Sequence, residues 1–239
     1  MKSETLEETK KINRGADNEM IEDRDGEKTE KQDDGFNLKT EIFSWILTIG
    51  AAFLSALLIG GFIIFYAYVP SGSMENTLHA GNRLIGFRLA YINKDPQRGD
   101  IITFRYPLDE SEIFIKRVIG LPGETLDIRD SHVYINGSET PLKEEYLKEE
   151  WEVANNELHY EIPEDCFFVM GDNRNNSADG RYWAEDAIAA GEAEDYEEAV
   201  DMEYCFVNRD QILGKAIFRY FPSFKIFPHV EYGYLPTHG

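Results

Sequence analysis

EIFSWILTIGAAFLSALLIGGFIIFYAYVP, residues 41–70, divides the chain into two parts of different character. Its residues 42–69 carry no charge. At ~1.5 Å per residue such a run reaches roughly 42 Å as a helix, more than the ~30 Å hydrocarbon core of a bilayer. It therefore predicts a tilted span, or one whose ends lie in the interface. Trp45 near one end and Phe65, Tyr66 and Tyr68 at the other suit interfacial aromatic belts. A cleaved secretory leader needs a basic start and an apolar stretch of only ~7–15 residues. Here the preceding segment is acidic and the stretch is far longer. A membrane helix over 41–69 is expected, in preference to a leader or a buried core helix.

Toward the N-terminus, residues 1–40 hold eight Lys/Arg and twelve Asp/Glu with almost no large apolar side chain. Such a segment buries too little surface to offset the entropy of ordering it, so a disordered acidic tail is expected. Orientation follows Lys and Arg. Lys28, Lys31 and Lys39 precede the span, and the nearest basic residue after it is Arg83. The asymmetry predicts a cytoplasmic N-terminus and an extracytoplasmic domain over 70–239. The net charge of −21 argues against nucleic acid as a partner. Nine acids and no base fall within 184–203, an acidic insertion read as a solvated face.

Toward the C-terminus the texture is that of short strands and turns, so the fold class is mainly β on one membrane helix. Arg83–Phe87, 100–106 and 113–119 are brief apolar runs flanked by turn residues. Leu121-Pro-Gly-Glu124 is a turn by its chemistry. His132-Val-Tyr-Ile-Asn-Gly137 ends in the strongest short hairpin signal. Cys166–Met170 and 215–220 read as buried strands. The charged stretch 142–150 is expected to form a short surface helix, and 185–203, rich in Ala and Glu, to be helical or a mobile excursion. The two cysteines, Cys166 and Cys205, are too few for a disulfide scaffold and too far apart for a metal clip. Two semi-buried thiols are expected, with a single disulfide left open.

Four segments carry chemistry or frame it. Pro70-Ser-Gly-Ser-Met-Glu-Asn-Thr-Leu78 places serines in a glycine-containing loop. Such a loop exposes a hydroxyl while backbone N–H groups face an oxyanion; equally, a serine there caps a helix. Phe114-Ile-Lys-Arg-Val-Ile-Gly120 sets Lys116 and Arg117 on opposite faces of a strand, so one of them meets an apolar neighbourhood unless the strand is an edge. Gly171-Asp-Asn-Arg-Asn-Asn-Ser-Ala-Asp-Gly-Arg181 is either a solvated turn or a paired network of two Asp and two Arg. Gly99-Asp-Ile-Ile-Thr-Phe104 reads as structural.

Together these segments resemble the bacterial type I signal peptidases (leader peptidases; Ser/Lys-dyad serine proteases of family S26), in that family's order and after a membrane anchor. The resemblance runs from the span to about Phe221, the acidic insertion excepted. It implies a coiled antiparallel β-structure of the signal peptidase and self-cleaving repressor type, with the site near the membrane surface. It implies a membrane-bound serine endopeptidase that removes signal peptides from exported preproteins with small residues before the cut. Ser73 then matches the nucleophile and Lys116 the general base. Ser71, with the Ser73 N–H, matches the oxyanion hole, and Ser177 the serine that orients the lysine. Asp172 with Arg117, and Asp179 with Arg181, match ion pairs that brace the site. Met74, Leu78 and Ile115 match residues lining the substrate groove, where the peptide binds as an added strand. No metal or organic cofactor is implied, and membrane lipid is an expected partner. The chain departs from the family pattern at Asn76, where Pro is common, at Asn175, where Asp is common, and at Gly180, where Ser is common.

The dyad makes a quantitative demand. A free Lys of pKa ~10.4 is neutral about once in 2,500 molecules at pH 7, a penalty of roughly 4.6 kcal/mol. Burial among apolar side chains lowers such a pKa by up to ~3–5 units, enough to remove most of it. None of the five histidines sits in a context that suggests a triad. Two other readings are a Ser/Lys protease with a different target, such as the self-cleaving repressors, and a catalytically inactive scaffold. The first is disfavoured by the membrane span and acidic balance, the second by the presence of both Ser73 and Lys116.

Overall fold

The structure is a computed structural model that describes residues 38–152 and 157–232. The expected tail therefore lies outside the described residues, except for its last three. Those open helix α1, Leu38–Leu58, which continues into a π-helical turn, Ile59–Ile63. This 26-residue stretch has a mean hydropathy of 2.3 in its most apolar window, which is unburied. It is long and apolar enough to cross a membrane.

The helix does not reach residue 69. Gly60 and Gly61 weaken it, and the β-branched and aromatic residues that follow form strand β1, Ile64–Tyr68, instead. β1 pairs antiparallel with β2, Arg83–Phe87, and Phe65 is buried over Gly86, where any Cβ would collide with the ring. Cross-strand pairing and burial of Phe65 thus override the uniform hydropathy of the run.

Antiparallel pairing organises the rest. Strands β3 (Ile101–Tyr106), β4 (Asp109–Gly120), β5 (Thr125–Arg129), β6 (His132–Ile135), β7 (Leu158–Glu161), β8 (Cys166–Met170), β9 (Val207–Asn208), β10 (Ile212–Phe221) and β11 (Lys225–Ile226) follow. The large sheet runs β1-β2-β10-β3-β4-β8-β9, with β11 on β10; β6-β5-β7 form a smaller one. The mainly antiparallel β architecture with one apolar helix matches the expected fold class.

Two turns differ from the sequence reading. The β5–β6 hairpin turns through Asp130 and Ser131, both at positive φ, a job usually left to Asn-Gly. Asn136 and Gly137 do reverse the chain, with Ser138 N donating to Ile135 O at 3.0 Å, but no regular strand follows. Residues 142–150 are not a helix; they form turns, with Glu144 held by Arg174 of another loop. The Ala- and Glu-rich insertion folds into α2, Trp183–Ala190, and α3, Tyr196–Asp201. Ala184, Ala187, Ala193, Ala199 and Trp183 face inward. Cys166 and Cys205 are buried free thiols, and burial pushes each up to about 12.

Strand β4 positions the site. It pairs with β3 along most of its length, but its pairing with β8 starts only at Arg117. Residues 113–116 therefore have a strand on one side alone among the described residues. Lys116 and Arg117, on opposite faces, are both buried.

Candidate active site

Ser73 lies in the turns that follow β1. Leu78 N donates to Met74 O at 2.7 Å and Glu75 N to Gly72 O at 3.1 Å, so the loop coils tightly and turns the Ser73 hydroxyl toward β4. There Lys116 Nζ lies 2.9 Å from Ser73 Oγ, within hydrogen-bond distance. The Ser71 hydroxyl lies 3.4 Å from the same oxygen. All three line an open cavity of about 510 Å³, together with Phe114, Ile115 and Ala178. Larger clefts of about 570 and 700 Å³ exist, but neither is lined by these residues. A serine hydroxyl bonded to a buried amine at the floor of a cavity is the arrangement that nucleophilic catalysis requires.

The chain is similar to known proteins. The family described as "Signal peptidase, peptidase S26" matches residues 42–221. A signal peptidase I of Leptolyngbya laminosa is 36% identical over 74% of this chain and 78% of its own. A probable signal peptidase I-1 of Synechocystis is 37% identical over 72% and 79%. Among solved structures, a signal peptidase I of Enterococcus faecalis is 32% identical, with 51% of this chain and 97% of that one covered and a TM-score of 0.37. The chain belongs to the signal peptidase family, peptidase S26. It is a serine endopeptidase that removes signal peptides, and its substrates are preproteins that carry them.

In this signal peptidase the electrostatics of the cavity turn on Lys116. Burial is the main cause that lowers its amine to about 8; Arg181 adds to the lowering, while Asp179 and Asp172 oppose it. Phe114 lies beneath the amine at 5.5 Å. At about 8 the cost of neutralising the lysine at pH 7 falls to ~1.4 kcal/mol, against roughly 4.6 for a free one.

The neighbouring cations are held differently. Arg117 makes a bidentate pair with Asp172, at 2.8 and 2.6 Å, and also donates to Gly99 O at 2.7 Å. Arg181 pairs with Asp179 at 2.8 and 3.0 Å. Burial would raise the Asp179 carboxyl, but the Arg181 charge and hydrogen bonds, aided by Lys116, hold it below its ordinary value. Both expected ion pairs are therefore formed. Asp179 also accepts from Gly171 N at 2.9 Å, which fixes the start of the 171–181 loop. Asn173 then joins that loop to the serine: its N–H donates to Ser73 O and its Nδ2 to Gly72 O, each at 3.0 Å. Gly171 is required there, since a Cβ would lie 2.4 Å from Ser73 O and 2.2 Å from Ser177 Oγ.

Three expected placements differ. Met74 and Leu78 do not line the cavity; they are fully buried in a cluster with Phe65, Val69 and Leu84, because the tight coil after Ser73 turns them inward. Ile115 does line it. Ser177 sits beside Gly171, but among the described residues its buried Oγ makes no hydrogen bond to Lys116 or to any other group. Among the histidines, Asp127 and His159 meet at 2.6 Å as a cross-strand pair on the small sheet, largely exposed. His238 lies outside the described residues.

Among the ion pairs that the sequence does not announce, one reaches the site. Arg174 pairs outside the 171–181 network expected for it: Glu144 holds it at 2.5 and 3.0 Å with both groups buried. The available signal was the motif itself: an arginine in a buried loop demands a carboxylate, but nothing in the spacing points to one thirty residues upstream.

Proposed function

We propose that this peptidase works by a Ser73–Lys116 dyad. The observation that carries the proposal is the 2.9 Å contact between Ser73 Oγ and a buried Lys116 Nζ whose pKa is lowered to about 8. Neutral Lys116 accepts the Ser73 proton as Oγ attacks the scissile carbonyl. The tetrahedral oxyanion is held by the Ser73 N–H and the Ser71 hydroxyl, donors of a kind worth ~2.7–4 kcal/mol each. Collapse breaks the C–N bond, and Lys116 gives its proton to the leaving amine of the mature protein. Lys116 then deprotonates a water that releases the signal peptide from Ser73. Ser177, whose buried hydroxyl has no partner among the described residues, is the residue to orient the amine during these transfers.

The unpaired edge at 113–116 supports substrate binding as an added strand, with Ile115 against the residues before the cut. The α1 region anchors the enzyme in membrane lipid. Its flanking lysines favour a cytoplasmic N-terminus and an extracytoplasmic catalytic domain. Sharing a membrane with its substrate raises their effective concentration.

The test is cleavage of a purified preprotein in detergent by the wild type, Ser73→Ala and Lys116→Ala, with the new N-terminus sequenced. Cutting after a small-x-small sequence by the wild type alone is expected. Near-full activity in either variant would remove the dyad.

A further inference from the structure

Residues 142–152 form neither helix nor strand, yet they touch each loop that carries the site. On one side Glu144 grips Arg174, whose Nε donates to Gly171 O at 3.0 Å. Trp151, buried, lies beneath two guanidinium groups, 4.9 Å from that of Arg174 and 5.2 Å from that of Arg181. Asn175 accepts from Glu152 N at 2.9 Å and donates to Glu150 O at 3.2 Å. On the other side Asn76 Nδ2 donates to the carbonyls of Tyr146 and Leu147, at 3.1 and 3.2 Å. Lys148 pairs with Glu75 at 2.8 Å, and the Tyr146 ring lies 4.0 Å from the Arg117 guanidinium. Asn76 and Asn175, on separate loops, thus both bind this segment.

We infer that residues 142–152 are a clamp that holds the serine loop and the 171–181 loop in register, with Glu144 and Trp151 as its positioning residues. The inference rests on the Ser73–Lys116 reading. The path is short. Glu144 fixes Arg174, Arg174 fixes the Gly171 carbonyl, and Asn173 between them holds the carbonyls of Gly72 and Ser73. Arg181, stacked on the same Trp151, also donates to Arg174 O at 3.0 Å. Releasing the clamp frees the segment that sets Ser73 against Lys116. It also loosens Asp179 and Arg181, two of the three charges acting on Lys116, the third being Asp172.

The experiment uses the full chain in detergent and a preprotein substrate, and measures kcat, KM, the pH profile of kcat/KM and the thermal midpoint. Glu144→Gln/Arg174→Gln removes both charges, so that neither is left buried alone. Asn76→Gly/Asn175→Ala cuts the clamp's surface bonds, with Gly accepting the φ of +81° at residue 76. Lys143→Gln, an exposed residue of the same segment, is the control. The first double variant is expected to lose about tenfold or more in kcat with KM within about twofold, and, as water reaches Lys116 and offsets its burial, to move the acid limb to higher pH. The second is expected to lose about threefold in kcat at an unchanged thermal midpoint, and Lys143→Gln to match the wild type. Glu144→Asp is expected to recover part of what Glu144→Gln alone loses. If both double variants keep the wild-type kcat and acid limb, whatever their thermal midpoints, the clamp is overturned. Should the first fail to fold, the second decides alone. Ser73→Ala is run alongside: activity in that variant would defeat the dyad and not the clamp.

Discussion

Lys116 and Arg117 are consecutive residues of one strand, equally buried, and their electrostatic fates are opposite. Arg117 faces a carboxylate that meets it through two hydrogen bonds, and the Asp172 charge outweighs burial so that the guanidinium stays protonated. Lys116 faces a serine hydroxyl and an aromatic ring, with carboxylates acting only from a distance, so burial prevails and its proton is held weakly. The lesson is that a buried cation is structural or reactive according to whether a carboxylate reaches it. Arg174 and Arg181 belong with Arg117 on this scale, each in a bidentate pair.

The comparison breaks most visibly in activity. Ser73→Ala or Lys116→Ala is expected to reduce preprotein cleavage by ~10⁴-fold or more, as for other members of a nucleophile–base unit. On the paired side the loss is instead one of stability. Asp179→Ala strands the Arg181 guanidinium and is expected to cost ~3–5 kcal/mol in denaturant unfolding.

A smaller effect has the opposite sign. Because Lys116 releases its proton near 8 when folded and near 10.5 when unfolded, the unfolded chain binds the extra proton between those values. Stability is therefore expected to rise with pH through that window, and the full cost of the lysine is present below about 8. Lys116→Met is expected to raise the thermal midpoint at pH 7 by on the order of 5 °C. That advantage fades as pH approaches 10.5. An exposed pair sharpens the contrast from the other end: Lys143–Glu145, both largely solvent-facing, is expected to contribute nothing measurable when Lys143 is changed to Gln.

Much of this contrast was legible in the sequence and some was not. Strand alternation put Lys116 and Arg117 on opposite faces, and the family resemblance marked Ser73, Asp172 and Asp179. What it missed lay in tertiary context. Hydropathy alone cannot tell the last helical residues from β1, since pairing with β2 decides the matter at Ile64. Charge made 142–150 look like a surface helix, whereas Glu144 is spent on a buried arginine. The family resemblance puts Met74 and Leu78 in the substrate groove, but a single helical turn is enough to send them into the core.

The central claim is that Lys116 is a buried amine poised to be neutral. It is tested most directly by titrating the Lys116 amine by NMR in protein carrying labelled lysine, its signal assigned by loss in Lys116→Met. A midpoint near 8 is predicted. A midpoint at or above the ordinary 10.5 would contradict the account, because Lys116 would then be one more structural cation and not the base.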